Sequence, residues 1–146
     1  MTNRRSISRR KLLRAATWVA QGLIFLAFLW AGSEKLLSPI ADLARMWPWT
    51  GDLPPPIVRT LGVIDLLGGI GVLLPDLTRI KPRLTTAAAV GCVLLQLCAM
   101  IFHISRGEAE DLPVNLVFLA LLVFILWGRR RTSAMARPPS DSGERP

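Results

Sequence analysis

Reactive side chains are scarce in this chain. It holds one histidine, His103, and two cysteines, Cys92 and Cys98. Six residues apart on a helix, the two thiols would point about 240° apart with an axial offset of about 9 Å, which excludes both a disulfide and a CxxC redox pair between them. They read as small apolar fillers. Neither HxxxH nor CxxC spacing is present, so no metal site is expected. A Gly-rich phosphate loop and a nucleophile elbow are missing as well. A single histidine near a membrane edge also argues against haem b, which wants two axial ligands. No cofactor of the chain's own is therefore expected. Charge is thin too, at 19% of residues. There are no internal repeats, and 146 residues suffice for one compact unit.

What the chain does have is apolar sequence, 51% of it, with a mean hydropathy of +0.42. Charges crowd into the tails and short connections, a segregation that marks a membrane protein. Four apolar runs cover about residues 15–37, 57–74, 84–104 and 113–128. They leave a basic tail at 1–14 and a tail at 129–146 whose Arg, Pro and Ser content predicts disorder. The fourth run, at 16 residues, is just under the ~17 that a spanning helix needs. Between the first two runs, Ser38-Pro39 reads as a capping hydroxyl followed by a proline in the first helical turn. Ile40, Leu43 and Met46/Trp47 then recur at helical spacing, predicting a short amphipathic helix suited to the bilayer surface, and the long connection is either a lid or, the favoured reading, an interfacial cap. Trp47 and Trp49 suit the headgroup layer. The expected fold is an all-α membrane protein, a four-helix up-down bundle with this short interfacial helix between spans one and two.

Charge sets the orientation. Arg4, Arg5, Arg9, Arg10, Lys11 and Arg14 precede the first span, and Arg129, Arg130 and Arg131 follow the last. Basic and acidic connections alternate at every crossing, which places both termini in the cytoplasm of a bacterial inner membrane. The run Ser8 to Arg14 also resembles a twin-arginine export signal. No small-residue cleavage site follows it and three more apolar runs do, so it is read as the basic flank of a first span. Basic clusters that flank spans do not form a nucleic-acid surface, and no nucleic-acid partner is expected.

The second span carries the most informative residue. Asp65 lies eight residues into the run 57–74, about 12 Å deep on a helix. An ionisable group so placed costs about 2.5–3.5 kcal/mol on insertion scales and usually faces other helices or a water-filled cavity. Gly62, Asp65 and Gly69 share one helical face at i, i+3, i+7 without a strict GxxxG, allowing a neighbouring helix to come close. In the predicted topology Glu34, Lys35, Arg59, Asp65, His103 and Asn115 all fall in the outer half of the bilayer, with Gln21 near the inner side. Asp65 and His103 are candidates for proton exchange, and Glu34, Lys35, Arg59 and Asn115 for ligand binding. The cation for Asp65 is either Lys35 or Arg59. Glu34 faces either the bundle or the headgroups. Gln21 and Gln96 read as interhelical glue.

At these residues the chain resembles the DoxX-like family of small four-span bacterial membrane proteins. The matching pieces are Ala31-Gly32-Ser33-Glu34-Lys35-Leu36, Leu61-Gly62-Val63-Ile64-Asp65-Leu66-Leu67-Gly68 with Leu73-Leu74-Pro75, His103 with Arg106-Gly107-Glu108, and Asn115. The resemblance covers roughly residues 15–128. Where the family usually carries glutamate in the second span, this chain has Asp65. The resemblance implies association with membrane redox complexes and a quinone-linked role. A redox partner subunit would supply the electrons, because the chain has no redox group of its own. Two other functions stay open: a small-solute transporter or permeation pathway, which would need a homo-oligomer, and a membrane scaffold whose polar groups only set helix register.

Overall fold

Six helices and one 3-10 turn account for nearly all of the described chain. The computed structural model describes residues 2–81 and 83–134, with side chains for 9–81 and 83–132. Helix α1 is Thr2–Leu37, α2 Ile40–Met46, α3 Trp49–Asp52, α4 Pro55–Leu77, α5 Arg83–Arg106 and α6 Leu112–Ala134, with the 3-10 turn at Ala109–Asp111. Four helical stretches are long and apolar enough to cross a membrane: Arg9–Leu37, Pro55–Leu77, Arg83–Arg106 and Ala109–Thr132. They correspond to the four predicted runs.

Several boundaries differ from the sequence reading. The second span was expected to stop at Pro75, but α4 continues to Leu77. A proline in the last turn removes only one backbone donor, close to where the helix ends in any case. The fourth span was expected to be short, yet α6 has 23 residues, or about 35 Å at helical rise. Its basic run Arg129 to Arg131 continues the helix, so the tail expected to be disordered from residue 129 is helical through Ala134. The remainder of that expectation, residues 135–146, lies outside the described residues. At the other end, α1 begins at Thr2 and carries the basic flank as helix. Ser38 does not cap α2. The N-cap is Pro39, without a side-chain bond, and the Ser38 hydroxyl donates instead to Glu34 at 2.6 Å, closing the last turn of α1.

The long helices pack in a ring, α1 on α4, α4 on α5, α5 on α6 and α6 on α1. The α1–α4 contact is the most extensive, and the glycine face of α4 is the reason. A Cβ on Gly62 would meet the Lys35 Cβ at 2.9 Å and the Gly32 carbonyl at 3.0 Å, so backbone lies almost on backbone there. Gly62, Asp65 and Gly69 are all buried along this seam.

The apolar core fills the middle of the ring with Ile24, Phe28, Val72, Ala89, Cys92, Leu122 and Ile125. Outside, Leu23, Leu26, Leu67, Leu94, Ile101 and Val117 are exposed. So much exposed apolar surface is untenable in water and natural in lipid. Both cysteines are free, Cys92 in the core and Cys98 on the exposed surface.

Successive helices alternate in direction, giving the bundle two distinct ends. One end gathers Lys35, His103 and Asn115 under α2 and α3 and is called the cap end. The other gathers Arg14, Asp76 and Arg129 and is called the tail end. At the cap end α2 is the short helix expected between the first two spans, and it packs onto the bundle. Its Leu43 is fully buried, and Trp47 packs edge-to-face on Trp30 with centroids 5.5 Å apart. The short turn α3 follows, with Thr50 buried and its hydroxyl donating to the Trp47 carbonyl at 2.8 Å.

Candidate functional site

The cap end holds a half-open cavity of about 200 Å³ between α1, α4, α5 and α6 and beneath the tryptophans of the cap. Its polar centre is an ion pair. Lys35 Nζ lies 2.7 Å from Asp65 Oδ2, with side chains only 12% and 11% exposed. Of the two cations open for Asp65, Lys35 is the partner. Arg59 instead donates to the backbone carbonyl of Lys35, satisfying an acceptor that the end of α1 leaves without a helical donor. It secures the Lys35 backbone and leaves the ammonium to Asp65.

Two tryptophans roof the lysine. Its Nζ sits 4.9 Å from the ring centroid of Trp47 and 5.8 Å from that of Trp49. A cation over an aromatic face gains about 0.5–2 kcal/mol depending on desolvation. The sequence suited these rings to the headgroup layer, and the structure adds that both also line the cavity. The missed signal is the WPW pattern, which starts α3 directly after α2 and so folds the rings back over α1.

His103, buried on α5, forms the next wall. Its Nδ1 is 2.8 Å from Glu108 Oε2 and 3.5 Å from Asp111 Oδ2. The chain comes back to meet it because α5 ends in a Schellman turn. Gly107 has φ 74°, and the Glu108 N–H donates to the His103 carbonyl at 2.9 Å. The Arg106-Gly107 pair was the readable sign of that turn, and Glu108 is the site residue that sequence reasoning did not draw from it.

Glu108 is held on both sides, since Arg106 Nε donates to its Oε1 at 2.6 Å. The Arg106 hydrogen bond first, and the His103 hydrogen bond second, hold the Glu108 carboxyl below its ordinary range. Arg106 also pairs with Asp52, which ties α3 and therefore the cap to the end of α5. A carboxylate on Nδ1 orients the imidazole and directs its chemistry to Nε2. His103 Nδ1 and the carboxylates of Glu108 and Asp111 lie within 4.8 Å of one another, close enough for each to offer a metal one ligand atom. The sequence reading found no ligand spacing because this grouping depends on the turn at Gly107.

The remaining candidates divide. Asn115 lines the cavity, with its Nδ2 donating to the Asp111 carbonyl at 2.8 Å in the first turn of α6. Glu34 is not among the residues that line it. Its carboxylate accepts from Ser38, as described above. Gln96 does line it, and its buried Oε1 has no hydrogen-bond partner among the described residues. Phe28, Leu61, Leu95 and Phe118 supply apolar wall. The arrangement offers a cation, two carboxylates, an oriented imidazole and an unpartnered acceptor around a small, mostly apolar space. Such a space suits a compact ligand with polar atoms at its edges.

At the tail end, Gln21 Nε2 donates to Asp76 Oδ2 at 2.9 Å and to the Val72 carbonyl at 3.0 Å. Asp76 also pairs with Arg129. Gln21 thus joins α1 to α4 there, the interhelical role that its place in the sequence had indicated.

No curated protein and no solved structure matches the chain. The DoxX-like family model matches residues 19–125, a stretch that contains the whole cap-end cavity, from Ala27 to Phe118. With four helices able to cross a membrane and this match over most of its length, the chain is a multi-pass membrane protein and belongs to the DoxX-like family.

Proposed function

We propose that the protein is a small membrane component of a redox system that holds a quinone headgroup in the cap-end cavity. The observation that carries this reading is the convergence of the Lys35–Asp65 pair, His103 and the unpartnered Gln96 Oε1 on one space walled by Phe28 and Phe118. In this reading both termini are cytoplasmic and the cavity lies in the outer leaflet half of a bacterial inner membrane.

The residues fit such a guest. A quinone carbonyl accepts hydrogen bonds, and the Lys35 ammonium and a protonated His103 both donate them. A quinol hydroxyl donates, and Gln96 Oε1 and the Asp65 carboxylate accept. When bound, the quinone supplies reversible two-electron chemistry, and a partner subunit supplies or removes the electrons. The protein's own part is proton handling and charge. His103 Nε2 gives or takes a proton at one edge of the cavity while Glu108 holds the ring through Nδ1. Lys35 stabilises negative charge as it develops, beside the rings of Trp47 and Trp49. Asp65 keeps the ammonium in place between turnovers.

The test is mass spectrometry of the lipid extract from protein purified in mild detergent, comparing wild type with Asp65→Asn and His103→Ala. The expected result is about one quinone per chain in the wild type and clear depletion in both variants, with unchanged elution on size exclusion. Finding no quinone in folded wild-type protein would overturn the reading.

A further inference from the structure

The tail-end cavity has no part in the function proposed above. It measures about 320 Å³ and opens between α1, the end of α4 and α6. Three arginines line it, Arg14, Arg79 and Arg129, against one carboxylate, Asp76. Asp76 is already engaged by Arg129 and by Gln21. Arg14 and Arg79 make no ion pair with any described residue. The cavity therefore keeps a positive balance with two guanidinium groups uncommitted.

Arg79 reaches this place from a left-handed backbone, φ 59°, in the turn between α4 and α5. A residue with a Cβ adopts that conformation only where its surroundings hold it there. Here it aims a long cation into the same cavity that Arg14 approaches from α1.

We propose that this cavity binds the phosphate group of an anionic phospholipid. A guanidinium presents paired N–H donors that match phosphate oxygens, and basic pockets between membrane helices are suited to acidic headgroups. The lipid source is favoured over free phosphate by what adjoins the arginines. Trp18 lines the cavity and is partly exposed, as a ring at the membrane interface would be. Val19 and Leu23 follow on α1 as exposed apolar side chains, a surface along which an acyl chain lies. A water-soluble anion would use only the arginines. The cavity is no vestibule to the cap end, because Ile24, Val72, Leu122 and Ile125 close the ring between the two.

The experiment titrates full-length protein in neutral detergent micelles with phosphatidylglycerol, with phosphatidylcholine, or with inorganic phosphate, reading retained ligand by native mass spectrometry. Phosphatidylglycerol is expected to be retained in preference to phosphatidylcholine. At about 1 kcal/mol for each basic group near an anionic headgroup, Arg14→Gln or Arg79→Gln should weaken retention about fivefold, and the double variant about thirtyfold. Arg130→Gln, an exposed residue that does not line the cavity, should leave it unchanged. An equal loss in Arg130→Gln, or full retention in the double variant, would reduce the effect to general surface charge and overturn the site. Inorganic phosphate that displaces phosphatidylglycerol at millimolar concentration would overturn the lipid source. Thermal melting without lipid checks that each variant folds.

Discussion

The two ends of the bundle solve the same problem in opposite ways. Each buries part of a carboxylate from α4 against a cation, Asp65 with Lys35 and Asp76 with Arg129. At the cap end the pair is roofed by tryptophans beside a mostly apolar space. At the tail end the pair is more accessible, 18% and 19% exposed, and surrounded by further arginines. The cap-end cavity is lined by one cation, Lys35, and two carboxylates, Asp65 and Asp111, whereas the tail-end cavity is lined by three arginines and one carboxylate. The comparison teaches that burial alone does not mark a site. What distinguishes the cap end is that its charges are confined beside apolar walls, and what distinguishes the tail end is that its cations outnumber its acid.

The comparison breaks most easily at Lys35. Lys35→Met leaves Asp65 facing apolar wall without a cation, and thermal unfolding in detergent should show a loss of about 3 kcal/mol. Pairing it with Asp65→Leu should restore most of that loss while still emptying the cavity of ligand. A double variant that keeps both fold and ligand would remove the pair from the function. Next in size is the α1–α4 seam. Gly62→Ala puts a Cβ against Lys35 and the Gly32 carbonyl and should cost about 2 kcal/mol through overpacking, read in the same melt. At the more exposed tail end, Asp76→Asn should cost about 1.5 kcal/mol, the scale of one hydrogen bond to a charged group. A loss there equal to that of Lys35→Met would erase the distinction between the ends.

The smallest effect concerns pH. Glu108 has its folded pKa depressed below the ordinary 4.5, first by Arg106 and then by His103. A depressed carboxylate contributes stability that is fully present above its unfolded pKa and is lost as pH falls through the folded one. Acidification below about 4.5 should therefore loosen the Arg106–Glu108–His103 connection and no change should come from Glu108 above it. Trp49 lies 6.4 Å from the His103 ring, so tryptophan fluorescence followed from pH 6 to pH 3 in wild type and Glu108→Gln isolates this contribution as their difference. Identical acid profiles would show that Glu108 does not hold the cap.

The four spans, their order and the glycine face around Asp65 were legible in the sequence because hydropathy and helical periodicity act locally. The candidate site was legible as a set of polar residues at one depth, and Lys35, Asp65, His103 and Asn115 do line one cavity. Which of them touch was not. Lys35 and Arg59 have equal claims on Asp65 in the sequence. Only the close approach of α1 and α4 at Gly32 and Gly62 gives the shorter reach to Lys35 and leaves Arg59 a backbone carbonyl. Glu34 belongs to the same predicted level, yet its neighbour Ser38 draws it into a bond along α1. Trp47 and Trp49 suited an interface by composition, but nothing local reveals that α2 and α3 fold back to set these rings over Lys35. The partnership of His103 and Glu108 depends on one left-handed residue, Gly107, so it is a property of a turn and not of a helical face.

Asp65 and Asp76 stand eleven positions apart on α4, just over three full turns, and so project from nearly the same side about 16 Å apart. Both reach α1, one through Lys35 and the other through Gln21. The two helices are thereby pinned at both ends of their common seam. A slide of α1 past α4 by one helical turn would unpair Lys35 and Gln21 together, with no new partner offered at either level. The pair is thereby keyed to a single register along its whole length.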